Sequence, residues 1–120
     1  MPSRFDDLAK SENNERLSLD LQSTAFVDWS VTSLFYSALH LIDAWLDDSV
    51  RPAHPANHTQ RKRLIQTDPV LRLIGSEYLH LEDRSRDARY ECAPFTVADV
   101  EQLRRTVFVP LKNHIHRALL

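Results

Sequence analysis

The chain reads as an all-α protein, a helical bundle with short connections in a single domain. Three observations predict it. Apolar residues recur at three- and four-residue intervals, as in Val31, Leu34, Phe35, Ala38, Ile42 and Trp45, the spacing that gathers side chains on one helix face. One Gly in 120 residues is too few for the turns of a β-sandwich. The six Pro residues fall mostly between the periodic stretches and serve as punctuation. A chain of this length buries roughly two thirds of its unfolded surface without a disulfide or metal.

The first helix is expected from about Arg4 to Gln22, with Phe5, Leu8, Leu17, Leu19 and Leu21 as its apolar positions. Its middle, from Lys10 to Arg16, is polar, so most of this helix is expected to face water. Asp28 is the expected N-cap of the second helix, its carboxylate accepting free N–H groups of the first turn. The stripe from Val31 to Trp45 makes this the central helix. At 100° per residue, Trp29, Ser33, Tyr36, His40, Asp43 and Asp47 share a second, mixed aromatic and polar face.

From Asp47 to Gln60 the helix cannot persist, because Pro52 and Pro55 each lack an N–H and disfavour helix at the preceding residue. A short basic helix, about Thr59 to Gln66, follows the loop. Asp68-Pro69 restarts the chain, with Asp at the N-cap and Pro at the first helical position. That helix presents Leu71, Ile74, Tyr78, Leu81, Ser85 and Ala88 and runs to about Tyr90. Gly75 inside the stripe costs about 1 kcal/mol relative to Ala, and a close helix crossing is the expected reason for it. Thr96-Val97-Ala98-Asp99 opens the last helix as a capping box with Asp in place of Glu. Pro110 is expected to kink that helix.

Composition narrows the function classes. Net charge is −2, so no global positive field favours nucleic acid, and any RNA site must be local. Gly75, the single Gly, leaves no phosphate-cradling loop, which excludes P-loop and dinucleotide folds, and no cofactor is expected. Cys92 has no thiol partner, is expected to be buried or half-buried, and suits a reducing cytoplasm. No stretch has the length and apolarity of a signal peptide or membrane span, so a cytoplasmic protein is expected. His54 and His58 flank a Pro in a loop and His114 and His116 point to different sides of a helix, so no metal site is expected.

Two regions carry candidate chemistry. From Glu82 to Arg89, six of eight residues are charged with both signs mixed, a helix end built to meet something polar. Arg86 and Arg89, with Tyr90, are read against Tyr36, His40 and Asp43: the guanidiniums hold a phosphate while His40, oriented by Asp43, exchanges a proton. The plain alternative is surface pairing, Glu82 with Arg86 and Arg84 with Asp87. The second region is the loop and short helix carrying Arg51, His54, His58, Arg61, Lys62 and Arg63, the most positive patch in the chain. It is read as a weak phosphate or acidic-partner contact.

Asp28-Trp29, the run from Leu34 to His40 (LFYSALH), a Pro/His loop before a basic helix, and Tyr78-Leu79-His80-Leu81 leading to Ser85-Arg86-Asp87-Ala88-Arg89-Tyr90 resemble the HEPN superfamily of helical bundles, over about residues 25 to 115. The resemblance implies an antiparallel, up-and-down bundle of four to five helices, a homodimer with a role in defence, toxin–antitoxin or RNA-processing systems, and a protein partner such as a nucleotidyltransferase. Active members of that superfamily are metal-independent ribonucleases whose motif joins an Arg and a polar residue to a nearby His. In this chain the one such pair is Arg51 and His58, with six residues between them that include two Pro. A non-catalytic binding or regulatory module is therefore the expected function. The alternative is a metal-independent ribonuclease built from Arg86, Arg89 and His40 or His58.

Overall fold

A computed structural model describes residues 2–49 and 52–120. The fold is an all-α bundle: α1 (Arg4–Leu21), α2 (Val27–Asp48), α3 (His58–Thr67), a 3₁₀ turn (Leu71–Ile74), α4 (Gly75–Tyr90), α5 (Val97–Leu103), a π-helical turn (Arg104–Phe108) and α6 (Val109–Ala118). No helix among the described residues is long and apolar enough to cross a membrane. Side-chain pairings fix the directions. Ser11 meets Ser37 and Ser18 meets Ser30, so α1 and α2 run antiparallel. Glu15 meets Lys112 and Ser18 meets Arg104, so the α5–α6 rod also runs antiparallel to α1. Helix α3 lies outside this four-rod arrangement, strapped across one flank.

Helix α2 is central, as its periodicity predicts, with Val31, Leu34, Phe35, Ala38 and Ile42 fully buried. Against them pack Tyr78 and Leu81 of α4 and Val100, Phe108, Leu111 and Ile115 of the last rod. Such a contiguous apolar cluster supplies most of the folding free energy, at roughly 25 cal/mol per Å² removed from water.

Helix α1 departs from expectation. Its buried residues are Asp7, Ser11 and Ser18, whereas Phe5, Leu17 and Leu19 are exposed. The small serines allow close approach, and each hydroxyl bonds across the interface: Ser37 Oγ donates to the Ser11 carbonyl at 2.8 Å and Ser30 Oγ to the Ser18 carbonyl at 2.6 Å. A hydrogen-bonded polar seam is stable where every buried group finds a partner. The helix starts with a capping box from Ser3 and Asp6.

Other boundaries shift for local reasons. Asp28 lies inside the first turn of α2 rather than capping it, Phe26 being the N-cap without a side-chain bond. The α3 N-cap is Asn57, which accepts from the Gln60 N–H at 2.9 Å. Asp68 does accept from the Val70 and Leu71 N–H groups, and from the Trp45 indole, but what it opens is the 3₁₀ turn. The α-helix begins at Gly75. A Cβ there would meet only Ile65 Cγ2 at 3.5 Å, an ordinary contact, so no close crossing explains this glycine. Thr96 and Asp99 form the expected capping box. Ahead of Pro110 the π-helical turn opens the backbone, with the Val109 N–H donating to the Arg104 carbonyl, so the ring is accommodated by widening. Cys92 is exposed, not buried, and sits at φ 50 in the turn between α4 and α5.

Candidate functional site

The mixed face of α2 is where the candidate residues gather, and three other elements divide it among themselves. In its C-terminal half, His40 Nδ1 lies 2.9 Å from Asp7 Oδ1 of α1. Asp43, one turn on, does not orient His40: its two oxygens accept from Arg61 Nε at 2.9 Å and Nη2 at 3.1 Å. Arg61 is buried, so the expected exposed patch loses this member to a bidentate ion pair, with the Tyr78 hydroxyl beside the same guanidinium. Asp47 Oδ1 takes His54 Nδ1 at 3.0 Å as the loop folds back over α2.

Three carboxylates therefore share one small volume with two imidazoles. Burial pushes Asp47 up to about 7, helped by a hydrogen bond to Asp7 and by the negative charge of Asp7. Asp7 is raised too, chiefly by burial. Burial lowers His40, with Asp43 opposing the shift. Asp7, His40 and Asp43 each offer a ligand atom, all within 4.8 Å of one another. The sequence reading lacked Asp7, which sits on a helix whose weak stripe gave no reason to turn that residue inward.

About one turn N-terminal to His40 the face changes character. Tyr36 meets α4: Arg89 Nη1 donates to the Tyr36 hydroxyl at 3.2 Å, and its Nε donates to the Ser85 carbonyl at 3.3 Å. The Arg89 guanidinium lies 5.8 Å from the Tyr36 ring centroid and 5.0 Å from that of Tyr90, which is exposed. Among the described residues no carboxylate pairs with Arg89. His58, at the start of α3, has its ring 6.2 Å from that of Phe35. Desolvation lowers its pKa first, and Arg61, Arg89 and Lys62 lower it further against the opposing charge of Glu82.

Arg86 does not join His40. It pairs with Glu82 at 3.5 Å and Asp83 at 3.6 Å on its own helix, while Arg84 pairs with Asp87 at 2.7 Å, the plain pairing read from the sequence. Buried Glu82 also takes Lys62 at 2.6 Å, tying α3 to α4. Arg63 is exposed, and Arg51 lies outside the described residues. The predicted residues thus fall into two groups: His40, Asp43, His54 and Arg61 in the acidic cluster, and Tyr36, His58, Arg89 and Tyr90 around a cation flanked by aromatic rings. His114 stands apart, its Nε2 bonded to the Val70 carbonyl at 2.8 Å.

Comparison of the chain with protein-family models, with curated proteins and with solved structures gives no match.

Proposed function

We propose that this protein is a non-catalytic, HEPN-like binding module that holds a phosphate-bearing partner, an RNA strand, at Arg89. The observation that carries the reading is the Arg89 guanidinium itself, set between the Tyr36 and Tyr90 rings with no carboxylate paired to it among the described residues. An unneutralised guanidinium pairs bidentately with phosphate. Exposed Tyr90 offers a face for base stacking, worth about 1–3 kcal/mol per base in single-strand binders. Exposed Arg63 adds a further cation on α3, whereas Arg86, one turn before Arg89, is paired with Glu82 and Asp83. The same reading includes a homodimer centred on Phe26 and Trp29, two exposed aromatic residues at the N-terminal end of α2.

The test is fluorescence-anisotropy titration of a labelled, mixed-sequence single-stranded RNA. Arg89→Ala is expected to weaken binding about tenfold or more, and Arg63→Ala to weaken it less while reducing the salt dependence. Unchanged binding in Arg89→Ala would sink the assignment.

A second reading rests on His58. Its lowered pKa leaves the ring neutral and able to accept a proton from a ribose 2′-hydroxyl, with Arg89 on the phosphate. The RNA incubated with protein in excess chelator is expected to remain intact. Cleavage that disappears in His58→Ala would replace the binding module by a metal-independent ribonuclease.

A further inference from the structure

We propose that Asp7, His40, Asp43 and Asp47 form a binding site for one divalent transition-metal ion of the Mn²⁺ or Zn²⁺ class, at the seam between α1 and α2 and beneath the loop that carries His54. Charge is the first argument. The three carboxylates bring three negative charges, and the one permanently charged group bonded to them among the described residues is Arg61. With neutral imidazoles the fully ionised cluster is left at −2, which a divalent cation cancels as it displaces the proton that Asp7 and Asp47 otherwise share.

The second argument is an unanswered oxygen. The Asp47 side chain is 6% exposed, and no N–H or hydroxyl reaches its Oδ2, the remaining hydrogen-bond partner of Asp47 beside His54 being Asp7, another acid. A buried carboxylate oxygen without a donor is costly. Asp47 lines a cavity of about 110 Å³ together with Asp7, Asp43, Ala53 and His54, room for an ion with a water or two. The Ala53 N–H donates to the Leu46 carbonyl at 3.2 Å, which ties Ala53 to the end of α2 beside Asp47.

Geometry agrees. Metal–ligand bonds of about 2.1 Å in an octahedron put neighbouring ligand atoms about 3 Å apart and opposite ones about 4.2 Å apart. His40 Nδ1 and Asp7 Oδ1 are 2.9 Å apart, the separation of neighbouring ligands, and the set with Asp43 lies within 4.8 Å, a bound about half an ångström wider than opposite ligands require, so small side-chain rotations complete the shell. Binding requires His40 to carry its proton on Nε2, freeing the Nδ1 lone pair. Each Asp43 oxygen keeps a second lone pair while Arg61 holds the first, so Arg61 orients the ligand from behind as outer partners of metal sites do. An imidazole among carboxylates favours Mn²⁺, Fe²⁺ or Zn²⁺ over Mg²⁺ and Ca²⁺.

The competing arrangement is a single proton shared between Asp7 and Asp47, and one experiment separates the two. The full chain is stripped with chelator, desalted and titrated with MnCl₂, free Mn²⁺ being read by electron paramagnetic resonance and Tm by circular dichroism; ZnCl₂ is run in parallel by Tm. The expected result is one tightly held equivalent and a rise in Tm. Asp47→Asn and His40→Gln are each expected to weaken binding about tenfold or more. Glu12→Gln, on the outer side of α1, is expected to change nothing. Absence of bound Mn²⁺ together with no Zn²⁺-dependent Tm shift overturns the proposal in favour of the shared proton, as does binding that survives both substitutions. The titration contains no RNA, so its outcome stands apart from the reading of Arg89.

Discussion

Arg61 shows how far a side chain's role depends on what it meets. In sequence it is one of three consecutive basic residues on a short helix, and in the fold its guanidinium is buried against Asp43. Removing one partner of such a pair leaves an uncompensated buried charge, which costs about 3–5 kcal/mol. Arg61→Met is therefore expected to lower stability by about 3 kcal/mol in urea denaturation, far more than Arg63→Met at the exposed neighbour. His58 carries a pH expectation. Desolvation together with the charges of Arg61, Arg89 and Lys62 lowers its folded pKa, Glu82 opposing, so between that value and the unfolded value near 6.5 the unfolded chain binds more protons. Stability contributed by neutral His58 is then full above about pH 6.5 and declines as pH falls through the folded pKa. An NMR titration is expected to place the His58 midpoint below that of a free histidine, and Arg89→Ala to move it upward by removing one repelling charge.

Helices obey their local signals unevenly. The Thr96–Asp99 capping box and the α2 stripe were legible because caps and 3.6-residue periodicity act within one or two turns. Helix α1 was legible as a helix but not in its facing, because its buried residues are serines and an aspartate whose bonds lie across the seam to α2. Gly75 misled in the other direction. It sits at the junction of the 3₁₀ turn and α4 with ordinary helical φ, and the space for a Cβ is open apart from Ile65. Gly75→Ala is accordingly expected to be neutral or stabilising by up to about 1 kcal/mol, read as an unchanged or higher urea midpoint. A loss of stability there would restore the close-crossing explanation.

The assembled bundle closes when α1 and the α5–α6 rod meet, through Lys112 on Glu15 at 2.7 Å and Arg104 on Ser18 at 3.0 Å, over a principal-axis extent of 42 Å by 25 Å by 23 Å. Tyr36, His40, Asp43 and Asp47 are thereby taken up by partners within the chain, which leaves Phe26 and Trp29 as the exposed aromatic pair beside that face. The proposed dimer is expected to depend on them: Trp29→Ser should shift sedimentation from a dimer toward a monomer, and an identical profile for both proteins would remove that face from consideration. Composition, helical periodicity, prolines and caps were enough to determine an all-α bundle, the order of its helices and the central place of α2, because those signals are local. The division of one helix face into an acidic cluster and a cation between tyrosines was decided by tertiary structure alone. Its partners stand far off in the chain, Asp7 33 residues from His40 and Arg89 53 residues from Tyr36, and no local propensity encodes which distant side chain a packed seam will deliver.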